Sequence, residues 1–128
     1  MVKTALVENE IEAGRRVLEA IDASRIAAPA SLWFYYPRAE EWRLVIATPL
    51  VRQKGLKAAY LQILKALKRT NLSDDVPLRR ISLLDPGDPL IKVLRRLVKT
   101  GGQMSNIRLV RGVVNGIPIE GAHIYRMS

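Results

Sequence analysis

Apolar residues recur at helical spacing through the first two dozen positions. At 100° per residue, Leu6, Val7, Ile11, Val17, Leu18 and Ile21 fall on one side, with Arg15, Glu19 and Asp22 opposite. This spacing predicts a helix over residues 3–23, laced by the i,i+4 pairs Glu12–Arg16 and Arg15–Glu19. Gly14 falls inside the apolar arc, where it costs about 1 kcal/mol relative to alanine. A glycine on a buried helix face predicts close approach of another group to the backbone. Glu10 falls in the same arc. It is read either as a buried carboxylate or as an acid of the first turn that suits the helix dipole.

The pattern then changes to one dominated by aromatic and β-branched residues. Residues 31–36 (Ser-Leu-Trp-Phe-Tyr-Tyr) predict a strand that Pro37 ends, and residues 42–48 a return strand, with a polar turn between them. Both faces of this hairpin are apolar, so both are expected to be covered, by helices divided between them or by a second copy of the chain. Residues 55–69 predict a second helix with Leu56, Tyr60, Ile63, Leu64 and Leu67 on one face. A loop at 71–77 and a short buried strand at 79–84 follow. Asp88 has the character of an N-cap and Pro89 that of a first helical residue, opening a third helix over 89–99. After a glycine-bearing loop at 99–106, the segments 107–114 and 117–126 flank Asn115-Gly116, a strong hairpin signal.

The expected order is α-β-β-α-β-α-β-β, a single α+β domain over residues 1–128 with about five strands, largely in hairpins, packed with three helices. A chain of 128 residues, 48% hydrophobic and 26% charged, can bury a core without help from disulfides or metal. There is no cysteine and one histidine, His123, which removes thiolate and multi-histidine metal chemistry from a single chain. No cofactor and no metal site are expected. No apolar run reaches membrane-spanning length and the amino terminus does not resemble a signal sequence. A cytoplasmic location with no membrane partner follows by elimination.

Charge changes the picture more than composition does. The net charge is +9, yet residues 1–41 sum to −2 and residues 42–128 to +11. No acid occurs between Asp88 and Glu120. On the third predicted helix Lys92, Arg95, Arg96 and Lys99 share one stripe, opposite Leu90, Val93, Leu94, Leu97 and Val98, and Arg108 and Arg111 follow. Such a stripe is either an ordinary solvated face or a surface that neutralises phosphates. The leading expectation is a non-catalytic module that binds nucleic acid or another polyanion through these six cations.

Two other constellations carry chemistry. Trp33, Phe34, Tyr35, Tyr36 and Trp42 hold five of the seven aromatics, which suits a core or an oligomer interface. The alternative expectation is accordingly an assembly component, a homodimer through the hairpin with Trp33, Tyr35 and Trp42 at its interface. His123, Tyr125 and Arg126 lie close together near the carboxyl end. Alternation places His123 and Tyr125 on one face and Arg126 on the other, and a metal-independent nuclease built on them is the third expectation. Phosphate-loop, dinucleotide-binding, nucleophile-elbow and zinc-protease motifs are absent. The strands also lack the acid-x-Lys triplet of a metal-dependent nuclease.

Overall fold

The amino-terminal helix begins later than its apolar periodicity suggests. The computed structural model describes residues 5–114 and 116–128, apart from the side chains of Arg111 and Val114. Within them, α1 spans Glu8–Ala23. Val7 stays extended, and the Glu10 carboxylate turns back to accept its N–H at 3.2 Å. That bond satisfies a backbone donor the helix cannot, and it places Glu8 and Glu10 in the first turn, where acids oppose the dipole.

Strands β1 (Ala30–Tyr36) and β2 (Glu41–Ala47) form the expected antiparallel hairpin, paired from Ala30↔Ala47 to Tyr36↔Glu41. A five-residue helix α2 (Leu50–Lys54), which periodicity did not resolve, precedes α3 (Leu56–Arg69). Gly55 separates them with φ +87°, a conformation β-carbon residues resist. A 3₁₀ turn at Leu78–Arg80 then leads into β3 (Ile81–Leu84), two residues later than expected. Arg80 is withdrawn from the strand because its guanidinium is committed elsewhere. It donates to the Trp42 carbonyl at 3.0 and 3.3 Å, pairs with Glu10 at 2.8 Å and lies 5.0 Å from the Trp33 ring centroid.

Helix α4 covers Pro89–Leu97. Asp88 caps it as expected, with Oδ1 accepting from the Leu90 N–H at 2.9 Å and Pro89 opening the first turn. It stops at Leu97 because Val98 is already extended. Strands β4 (Ile107–Val114) and β5 (Ile117–Met127) pair antiparallel from Ile107↔Ile124 to Val114↔Ile117. Gly116 takes φ +78° in their connection, while Asn115 lies outside the described residues.

The five strands make one mixed sheet in the order β3-β2-β1-β5-β4. Pairing is antiparallel except between β2 and β3, which α2 and α3 connect as a parallel crossover. The protein is thus a small α+β domain, and both faces of its sheet are covered, the helices being divided between them. Helices α1 and α3 bury Trp33, Tyr35, Trp42, Leu44, Ile46 and Tyr125 on one face. Helix α4 lays Ile91 and Leu94 on Leu32, Phe34, Val45, Ala122 and Ile124 on the other.

Two details lock α1 to the sheet. Gly14 sits on the Trp33–Tyr125 pair so closely that a β-carbon there would stand 2.5 Å from Tyr125 Oη and 2.6 Å from Trp33 Nε1. Trp33 Nε1 donates to Tyr125 Oη at 3.0 Å, and that hydroxyl donates to the Ile11 carbonyl of α1. The second detail is a β-bulge. Leu32 pairs with Ile124 and Ser31 with Arg126, so Tyr125 is an extra residue in β5. The simple alternation expected for Arg126 therefore fails. Tyr125 and Arg126 both turn toward α1, where Arg126 forms a two-pronged ion pair with Asp22 at 3.0 and 2.7 Å.

Among the described residues, no helix is long and apolar enough to cross a membrane.

Candidate polyanion-binding surface

Helix α4 turns its apolar side to the sheet and its basic side outward, because nine residues give just enough turns for Ile91 and Leu94 to seat while Lys92 and Arg96 point away. Lys92 and Arg96 are exposed, one turn apart, and neither side chain has an ion pair or hydrogen bond among the described residues. Lys99 is also exposed and unpaired, but it belongs to the extended segment after the helix instead of continuing the stripe. Arg95 differs from both. Its guanidinium donates to the Ser128 carbonyl at 3.1 Å and the Pro86 carbonyl at 3.3 Å, joining the chain's last residue to the loop before α4.

The expected group of six cations does not gather on one surface. Arg108 pairs with His123 in the β4–β5 register and so faces the α1 side of the sheet, opposite α4. The reason is the period of two along β4, which no helical pattern could anticipate. Arg111 occupies β4 as well, with its side chain outside the described residues. Of the six, the two that α4 itself presents together, exposed and unpaired among the described residues, are Lys92 and Arg96, with Lys99 just beyond the helix. Elsewhere acids are taken up by arginines, as in Glu12–Arg16, Glu41–Arg43, Asp85–Arg52, Glu10–Arg80 and Asp22–Arg126.

The aromatics expected at an interface are internal. Trp33, Tyr35 and Trp42 are 0%, 5% and 7% exposed, because α1 and α3 already cover their face of the hairpin. The homodimer contact assigned to them is corrected accordingly: a surface this thoroughly buried by its own chain has nothing left to offer a partner.

The carboxyl-terminal trio is likewise built into the α1 packing. Burial pushes the Tyr125 phenol well above its ordinary value, and its hydroxyl is spent between Trp33 and Ile11. Arg126 is held by Asp22 and by the Ala28 carbonyl at 3.2 Å, and the bond to Asp22 raises its proton affinity. His123 is 8% exposed, with Nε2 3.1 Å from Asn106 Oδ1 and Nδ1 buried without a partner. Burial, aided by the positive charges of Arg108 and Arg15, lowers its pKa and keeps the ring neutral. The three side chains do not converge on a space that a phosphodiester could enter. Among the described residues, no group of three or more histidines or acids is placed to hold a metal ion.

One feature escaped sequence reasoning. Because α4 is short, the sheet face above its amino end is left as a cleft of about 610 Å³, lined by Phe34, Tyr36, Leu84, Leu90 and Pro118, with Asp88, Glu120 and Arg38 among its polar residues. Burial raises the Tyr36 phenol, so its hydroxyl remains protonated there. The signal for the cleft was the mismatch between nine helical residues and the wide apolar face beneath them.

Comparison with protein-family models, with curated proteins and with solved structures found no match.

Proposed function

We propose that the protein is a non-catalytic module that binds nucleic acid through the outward side of α4. It works by neutralising phosphates and does not read bases. The observation that carries this reading is that Lys92 and Arg96 stand exposed and unpaired one turn apart on the outward side of α4, with the exposed Lys99 just beyond it, in a stretch of sequence without acids. Unpaired surface cations cost little to present and release counterions when a phosphate chain replaces the solvent.

Three phosphate contacts predict an affinity that falls about 40-fold between roughly 50 and 200 mM salt, from a slope near −0.9 per contact. Fluorescence anisotropy with labelled single- and double-stranded oligonucleotides measures it. The double variant K92E/R96E should flatten the slope by about two. K65E/K68E, on α3 across the sheet, should lower affinity less and in proportion to net charge alone. No binding at about 50 mM salt, or equal losses from the two double variants, would remove the proposal.

A further inference from the structure

We infer that the outer edge of β4 pairs with the same edge of a second copy, giving a continuous ten-stranded sheet about a two-fold axis at Val110. The two ends of the sheet differ. At β3, a four-residue strand, Tyr60 of α3 donates its hydroxyl to the Ile81 carbonyl at 2.9 Å and accepts the Leu83 N–H at 3.1 Å, so the backbone on the side away from β2 is occupied. At β4 nothing comparable exists among the described residues. The strand is eight residues long, terminates the sheet order, and makes no backbone hydrogen bond beyond its ladder with β5. Its side chains say the same. Val110 and Val113, 74% and 71% exposed, are the most exposed large apolar residues described in the chain. A long apolar edge with free N–H and C=O groups is a template for another strand.

The occupant is argued from self-complementarity. An antiparallel β4–β4 pair centred on Val110 sets Val110 against Val110, Arg108 against Gly112, and Ile107 against Val113. Both exposed valines gain an apolar partner, and no two arginines fall opposite each other. Centring the pair one position later would instead set Arg111 against Arg111. The chosen axis runs normal to the sheet and preserves its faces, so both α4 helices lie on one side. The dimer would therefore present Lys92 and Arg96 twice on a common surface. The pairing stands on the strand edge alone and does not depend on nucleic-acid binding.

One strand against one strand buries less than the roughly 1,200 Å² of standard complexes, so the dimer should dissociate on dilution. Sedimentation equilibrium across a dilution series, without nucleic acid, should show mass rising from 14.4 kDa toward twice that value. V110K and V110E should each sediment as folded monomers, their folding checked by circular dichroism. An equimolar mixture of the two should recover the dimer, because Lys and Glu then face each other across the axis. A wild-type monomer at about 1 mM, where even a millimolar association is half complete, overturns the proposal. So does a V110K dimer as tight as the wild type, or a mixture that stays monomeric. If oligonucleotide binding fails while the mixture rescues the dimer, the nucleic-acid reading alone is lost.

Discussion

Replacing Gly14 with alanine should destabilise the protein, against the intrinsic preference of a helix. In an exposed helix interior this change is worth about 1 kcal/mol in favour of folding. Here the new methyl would stand 2.5 Å from Tyr125 Oη, 2.6 Å from Trp33 Nε1 and 3.1 Å from Tyr125 Cε2. Trp33 and Tyr125 are fully buried and anchored to each other and to Ile11, so neither can swing aside cheaply. Displacing α1 from the sheet costs about 1–3 kcal/mol as overpacking. Losing the buried Trp33–Tyr125 hydrogen bond adds about 1–3 kcal/mol. After the propensity gain, the net loss centres near 3 kcal/mol, a fall in Tm of about 12 °C for a chain of this size. Thermal and urea unfolding followed by tryptophan fluorescence measure it directly. Adding Y125F removes the nearest clashing atom, so the double variant should be less destabilised than the two single changes summed. A G14A protein as stable as the wild type, or more so, would refute the claim that this glycine exists for the contact.

Two further outcomes test other parts of the structure. Tyr60→Phe should cost about 1–2 kcal/mol, because the Ile81 carbonyl and Leu83 N–H lose their shared partner, and hydrogen exchange should accelerate first at Leu83. For His123, burial holds the folded pKa below the ordinary 6.5, so below that pH the unfolded chain takes up a proton that the folded one refuses. Stability should therefore fall as the pH drops below the ordinary histidine value of 6.5 and level off beneath the folded pKa, and His123→Gln should flatten that slope. An unchanged slope in the variant would show that the ring titrates freely.

Much of the architecture was legible because it rests on local rules. The apolar period of α1 and α3, the Asp88-Pro89 start of α4 and the aromatic hairpin each announce themselves within a few residues, and the structure follows them. Gly14 was legible too, as a glycine where the pattern wanted bulk. What stayed hidden is set by partners distant in sequence. Arg80 leaves the β3 pattern because Glu10 and the Trp42 carbonyl claim it. Arg126 turns inward because a bulge opposite Leu32 shifts the register of β5. Parallel pairing of β3 with β2 leaves no local mark, since a short apolar run reads alike in either direction. The candidate site suffered most. A stripe of cations can be read along one helix, but whether Arg108 joins it depends on which side of a strand it falls, and whether Arg95 is available depends on carbonyls contributed by Pro86 and Ser128.

The bulge in β5 also bears on how the chain is made. It delivers Tyr125 to Ile11 near the start of α1 and Arg126 to Asp22 near its end, contacts that span 114 and 104 residues. During synthesis α1 therefore lacks these two tethers until Tyr125 and Arg126 have been added. Closing such long loops is slow, so docking of α1 should be a late event. A nascent chain that stops before Tyr125 would hold α1 only through its packing with α3 on β1 and the Glu10–Arg80 pair, its fastening to β5 still missing.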